Sequence, residues 1–421
     1  MNRRLIIICK HYPFYPEFIQ NEAPILEKLY DKVDVFCVGN RRKKVTQFIG
    51  KNFFIHHKKE LKNSNILKFI KYFFIGLFAK KDTLIIKTIK HTNGLKNILY
   101  SLFEYGLAFS EFEFVLKRLN IDTKNDVFAI YSFWFKDTAV AASLLKNKLK
   151  KKSIKAFAYS RAHGHDLYWE RNPFGLVYQE FCLNCLDNVF PCSIHGEKYL
   201  IKRYPSFKNK IMHSYLGTKC TKHKKYFNND DNGYFTIVTC SNIVKLKRLH
   251  LLIFELNKLS EMINKKVKWI CIGTGDCLPN LKNNAANQSF IFESLGGMKN
   301  ESVLDYYSNH KIDCFVNLSQ SEGLPVSIME AQSFGIPAFA TNVGGTSEVI
   351  VENITGFLLP VDFLPGDLAK LLYKYYNLPD DCKKDFYKSS ISNFLKNFDS
   401  DSNYNSFNSF ILEKLCSKVC K

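Results

Sequence analysis

The sequence predicts an α/β fold built from two parallel-sheet domains, and three observations carry that expectation. The chain has 421 residues, 46% of them hydrophobic, enough for two domains each with its own core. The stretch from Cys314 to Pro360 alternates short apolar runs with helical segments and parses as a βαβα unit. Near the N-terminus, residues 5–9 and Val33 to Val38 read as parallel strands on either side of a helix from about Phe18 to Tyr30.

The Cys314–Pro360 stretch is the most informative. Cys314 to Ser319 is rich in β formers, Ser319 to Leu324 is polar and carries a glycine, and Pro325 suits the first position of a helix that Gly335 ends. After Pro337 a second apolar run, Ala338 to Thr341, leads into Asn342-Val343-Gly344-Gly345, and another helix opens near Thr346 to Glu348. In parallel sheets ligands bind beyond the carboxyl ends of the strands, where both glycine-bearing loops fall. Glu322 is expected in the first loop, beside the backbone N–H groups of Gly323 and Leu324, where a phosphate or sugar oxygen is well received. Glu330 is expected inside the helix, four residues from both Val326 and Phe334, so its carboxylate borders packed apolar side chains and suits the two hydroxyls of a ribose.

Taken in order, the chain opens on a Rossmann-like unit without its glycines. Lys10-His11-Tyr12-Pro13 stands where a Gly-rich turn would cradle phosphate, which suits the first half to an acceptor rather than a nucleotide. Val127 to Tyr131 reads as a strand before a helix from about Asp137 to Leu149. A further strand, Ala156 to Ser160, leads into Arg161-Ala162-His163-Gly164-His165-Asp166. A cation, an imidazole and a carboxylate are thereby expected at one strand mouth, against the alternative of a loop in which Asp166 caps a helix.

Asn188 to Cys192 reads as a strand, and a polar linker is expected near Leu216 to Gly233. The second half opens on a strand from Tyr234 to Cys240, followed by Ser241-Asn242 and a basic run, Lys245 to Arg248, that suits a diphosphate. Val267 to Ile272 is the next strand; its Gly273-Thr274-Gly275 lacks the third glycine of a dinucleotide fingerprint, since position 278 is leucine. Phe290 to Phe292 reads as a strand before Leu295-Gly296-Gly297-Met298.

The formal net charge is +21, from 60 Lys and Arg against 39 Asp and Glu, which favours polyanions as partners. Between residues 41 and 96, Arg41, Arg42, Lys43, Lys44, Lys51, Lys58, Lys59, Lys62, Lys68, Lys71, Lys80 and Lys81 face only Glu60 and Asp82. Ile66, Phe69, Ile70, Phe73, Phe74 and Leu77 follow helical spacing there. The result is a basic amphipathic helix that either packs on the domain core or lies in an anionic membrane interface. It is too short and charged to span a bilayer, and no signal peptide is visible at the start. The 13 cysteines suit a reducing cytosol, and Cys182-x2-Cys185 reads as structural because no fourth ligand follows at zinc spacing. The expected location is cytoplasmic, at the inner face of the membrane. No motif supports nucleic-acid binding.

Glu-Gly-Leu-Pro-Val-Ser-Ile-Met-Glu, then Ala-x3-Gly-x-Pro and Val-Gly-Gly-x-x-Glu, resembles the donor-site signature of family 4 glycosyltransferases. The order of the Arg-Ala-His-Gly-x-Asp loop and the strand after it resembles the same family. The resemblance implies the GT-B fold: two Rossmann-like domains facing across a cleft, an acceptor domain over residues 1–216 and a nucleotide-sugar domain over 217–395. A last helix, about 400–421, would pack back on the first domain.

The implied activity is transfer, with retention, of a sugar from a UDP-type or GDP-type donor to a hydroxyl of a cell-surface glycan or a lipid-linked acceptor such as lipopolysaccharide. The resemblance gives Glu330 the ribose, Glu322 with the amides of Gly323 and Leu324 the donor sugar, and His163 a place near the reacting centre, with Asp166 supporting it or meeting the acceptor. Lys247 matches the family's diphosphate lysine. Asn242 replaces its arginine, for which Arg248 is a candidate substitute, and the loop at Gly296 and Gly297 resembles the turn that contacts the base. No Asp-x-Asp stands in the donor-side loops, so neither a metal nor a resident cofactor is expected. Two alternatives stand beside this reading: an epimerase or phosphorylase of the same fold, and a basic scaffold without activity.

Overall fold

The structure is a computed structural model, and the residues it describes are 2–10, 17–39, 50–58, 65–79, 94–121, 125–219 and 233–417. His11 to Pro16, Arg41 to Lys44, Lys59, Lys62, Lys80, Lys81 and most of the expected linker, 220–232, lie outside them. The chain divides into two compact units: Met1–Leu216 with Ser400–Lys421, and Gly217–Asp399.

The first unit is built on a six-stranded sheet: β1 (Asn2–Cys9), β2 (Lys32–Cys37), β3 (Phe53–His57), β4 (Asp126–Ser132), β5 (Ala156–Ala162) and β6 (Asn188–Pro191). Its order is β3-β2-β1-β4-β5-β6, every neighbour parallel. The order reverses direction between β1 and β4, the point at which doubly wound sheets open a crevice. β1 reads as an unbroken apolar run because both its faces are covered. Ile6 and Ile8 enter a core with α3 (Leu95–Arg118) and α4 (Asp137–Lys151). Leu5 and Ile7 enter the opposite core with α1 (Glu17–Leu29) and the last helix, α14 (Ser400–Ser417), whose Phe407, Ile411 and Leu415 are buried there. The basic helix is α2 (Asn65–Ala79), which packs along α3. Two short helices, α5 (Gln179–Cys185) and α6 (Ile194–Arg203), flank β6, and Cys182 is a packed member of the core.

The second unit repeats the plan with β7 (Tyr234–Cys240), β8 (Lys266–Ile272), β9 (Ile291–Gly296), β10 (Cys314–Asn317), β11 (Ala338–Thr341) and β12 (Gly356–Leu359), again all parallel, in the order β12-β11-β10-β7-β8-β9. Its direction reverses between β7 and β10. The helices are α7 (His250–Met262), α8 (Leu278–Ala285), α9 (Asn300–Asn309), α10 (Val326–Ser333), α11 (Thr346–Val349), α12 (Asp367–Tyr376) and α13 (Asp380–Asn397). α10 ends where Gly335 takes φ +75°. The carboxylate of Glu255 on α7, buried in the core, accepts from the N–H groups of Gly366 and Ala369, both at 2.8 Å, and so caps α12 from a neighbouring helix.

Candidate active site

In the second unit the expected donor residues gather at the carboxyl ends of β7 and β10, the two strands that meet where the order reverses. Lys247, in the turn after β7, and Glu322, in the loop after β10, are joined by an ion pair with Nζ 2.5 Å from Oε1. Asn317 at the end of β10 donates to the same oxygen at 3.2 Å. Burial works against the charged form of Glu322, but Lys247 and these hydrogen bonds overcome it and hold the carboxyl below the ordinary glutamate range.

The second glycine-bearing loop fixes the first. Gly344 has φ +56°, and a Cβ there would lie 2.0 Å from the carbonyl oxygen of Glu322, so only glycine lets the two loops meet. Gly345 then donates to the Gly323 carbonyl at 2.9 Å, which leaves Gly323 and Leu324 leading into α10. Glu330 sits within α10, 8% exposed, and accepts from Asn300 Nδ2 at 2.6 Å. Beneath it, burial and the nearby Glu330 charge push the Cys240 thiol up to about 12.

Arg248 braces the loops after β10 and β12. Its Nε donates to the carbonyl of Leu318 and its Nη1 to that of Val361, both at 2.7 Å. Its Nη2 has no hydrogen-bond partner among the described residues. Asn242 is exposed in the loop after β7. Gly296 closes β9, where its carbonyl accepts from Gly273 at 2.7 Å, and Gly297 follows it. Gly273 is a packing glycine: a Cβ there would lie 1.9 Å from the Ser241 carbonyl oxygen. That contact accounts for a Gly-x-Gly with no dinucleotide fingerprint.

In the first unit His163 and Asp166 stand just beyond β5. Asp166 is 1% exposed; it accepts from the N–H of His163 and the N–H of Phe135, both at 2.7 Å, and its Oδ2 lies 3.5 Å from His163 Nδ1. Burial opposes its charge, but His163 and these N–H groups overcome it and hold the carboxyl below its usual range. The imidazole packs against Phe133 and Trp134, with ring centroids at 4.8 and 4.6 Å, and its Nε2 has no hydrogen-bond partner among the described residues. Asp166 therefore positions His163 by tying two loops together. Its burial argues against an acceptor contact of its own.

Arg161 does not join that mouth. It is fully buried on the face covered by α14, donating to Tyr131 Oη at 2.8 Å and to the Ser214 carbonyl at 3.0 Å, with its guanidinium 4.0 Å from the Phe407 ring centroid. His165 is exposed, though partial desolvation of its ring and then Lys136 lower its pKa. Sequence reasoning missed a charged cluster at the β1/β4 reversal. There Lys10 pairs with Glu111 and Asp137, and Lys136 with Glu104 at 3.3 Å. The partners of Lys10 lie more than a hundred residues away in sequence and left no local signal.

Residues 221–390 match the family model described as Glycosyl transferases group 1. The group 1 match lies in the second unit, from before β7 into α13. Over 97 residues the chain is 35% identical to the O-antigen biosynthesis glycosyltransferase WbnH of Escherichia coli, which is 23% of this chain and 27% of that protein. The chain spans between 16% and 27% of the length of the first curated relatives it matches. Among solved structures it resembles the apo form of the lipopolysaccharide outer core galactosyltransferase WaaB, with a TM-score of 0.66 at 13% identity over 98% of this chain and 99% of that one. It also resembles Alr3699/HepE of Anabaena in complex with UDP and glucose, with a TM-score of 0.63 at 12% identity over 97% and 99%. At such identities the likeness establishes the fold, which is GT-B.

Proposed function

We propose that the chain is a retaining glycosyltransferase of the family 4 type, moving a sugar from a nucleoside-diphosphate sugar to a hydroxyl of a cell-surface glycan or lipid-linked acceptor. The observation that carries the reading is the pair of glutamates at the reversal of the second sheet: Glu322 held by Lys247 and Asn317, and Glu330 held by Asn300. In this reading the two oxygens of Glu330 accept from the ribose hydroxyls, and Glu322 accepts from the donor sugar. An ammonium has three donors, so Lys247 can keep Glu322 and still meet the departing diphosphate, whose charge it and the amides entering α10 stabilise. In this reading His163 acts near the reacting sugar, and Asp166 sets its orientation. The group 1 match, the O-antigen relative and a structural neighbour with bound UDP and glucose support the donor class and a polysaccharide or lipopolysaccharide role.

The test is release of UDP or GDP from a panel of nucleotide sugars, with and without a membrane-lipid extract as acceptor. Transfer that depends on the extract, is lost in Glu330→Ala, and keeps the donor's anomeric configuration by NMR supports the reading. Turnover without any acceptor would instead indicate an epimerase or phosphorylase of the same fold.

A further inference from the structure

α2 (Asn65–Ala79) has one face that is locked and one that has nowhere to go. On the locked face the backbones of α2 and α3 touch: a Cβ on Gly76 would lie 2.0 Å from the Leu102 carbonyl oxygen, and one on Gly106 would lie 1.7 Å from that of Tyr72. Tyr72 is 5% exposed on this side. Neither helix can roll about its axis without driving other side chains into the space that only glycine leaves.

On the outer face Ile66, Ile70, Phe74 and Phe78 follow one another at intervals of four, which lines them into a single ridge. They are 71%, 44%, 48% and 75% exposed, and Leu67 beside them is 52% exposed. Phe74 and Phe78 stack with ring centroids 6.3 Å apart. Single exposed apolar residues are ordinary, but a contiguous ridge five residues strong marks an interaction surface. The exposed Lys71 borders it, and the sequence on either side adds Lys59, Lys62, Lys80 and Lys81 against Glu60 and Asp82.

The charge selects the occupant. A second copy meeting ridge to ridge would bring two sets of lysines together, whereas an anionic lipid surface neutralises them at the depth where the ridge enters the acyl boundary. No described helix is long and apolar enough to cross a membrane. We propose that α2 docks this protein on an anionic lipid surface, lying in the interface with the Ile66–Phe78 ridge inserted and Lys71 at the headgroups. The inference goes beyond the donor-site reading and is tested without any sugar nucleotide.

The experiment is co-sedimentation of the full chain with phosphatidylcholine vesicles, with and without phosphatidylglycerol, comparing wild type, Ile70→Ser with Phe74→Ser, Phe78→Ser, and Lys71→Glu. These side chains are exposed, so the variants keep the wild-type melting temperature and the wild-type response to added nucleotide. Binding to the anionic vesicles that falls with salt, and weakens about tenfold or more in the double serine variant, supports the proposal. No binding, or equal binding by the serine variants, overturns it. Self-association that the serine variants abolish, with no vesicle binding, also overturns it and assigns the ridge to a second copy.

Discussion

Lys247 and Glu322 stand 75 residues apart in sequence and 2.5 Å apart in space, one in the turn after β7 and the other after β10. Their side chains are 20% and 12% exposed, so the pair is shielded enough for its charges to matter. Removing one partner strands the other. A double-mutant cycle with Lys247→Met and Glu322→Gln is expected to show a coupling of about 1–3 kcal/mol in urea unfolding. Additive single effects would show that the pair does not bind the two loops together. Lys247→Met is also expected to weaken UDP or GDP binding by roughly tenfold, about one charge-assisted hydrogen bond.

Asp166 links the loops that follow β4 and β5, and an asparagine there would turn its amide toward one of the two backbone N–H groups. Asp166→Asn is expected to cost about 2 kcal/mol of stability and to lower turnover far more than donor affinity. Because its folded carboxyl lies below the usual range, its stabilisation is present above that range and is lost as pH falls through the folded value. The wild type therefore loses in acid an advantage that the variant lacks throughout. Parallel melting curves from pH 7 down to the acid limit would contradict this.

Glu104 has the opposite sign. Burial pushes its carboxyl up to about 7 although Lys136 opposes the shift. Between an ordinary glutamate near 4.5 and the folded value near 7, the folded chain holds a proton that the unfolded chain has released, so stability falls as pH rises across that window. The slope from this one group approaches 1.4 kcal/mol per pH unit. Glu104→Gln is expected to flatten the melting temperature over that range and to match or exceed wild type near neutrality. An unchanged slope would sink the assignment.

The last helix belongs to the core of the first unit. Ile411 is fully buried among residues of β1, β2 and α1, so Ile411→Ala is expected to cost about 2–5 kcal/mol. Arg161→Leu removes the guanidinium that joins Tyr131, Ser214 and the Phe407 ring, and leaves those partners to be satisfied otherwise. Proteolysis of the Ile411→Ala variant is expected to begin at the C-terminus, and cleavage starting elsewhere would argue against this role for α14.

How far the sequence could be read depended on where each signal lies. The β10–α10–β11–α11 run was legible because Pro325, Gly335 and Pro337 punctuate it and its apolar runs are short. β12 (Gly356–Leu359) was not, since the helix before it, Thr346–Val349, is a single turn with no period to mark the crossover. The placements of Glu322 and Glu330 followed from local spacing, but the Asn300 bond to Glu330 spans 30 residues and two helices and left no pattern. Arg161 was misread for a simple reason: it is still inside β5, where alternate side chains leave by opposite faces, whereas His163 lies beyond the strand. The two carbonyls that Arg248 braces left no signal, because a basic residue near a strand end does not reveal which backbone groups it will meet. The outward ridge of α2 was half legible. Its helical period was plain, but the glycine contact that decides which face turns inward depends on Gly106, on another helix.

The measurement that reaches the central claim most directly is calorimetric binding of UDP, GDP, ADP and CMP to wild type and to Glu330→Ala. One nucleoside diphosphate should bind the wild type, and the alanine variant should lose about 2 kcal/mol or more of that affinity, the worth of a carboxylate bonded to two hydroxyls. Equal binding by wild type and variant, or no nucleotide bound at all, would contradict the donor site placed here.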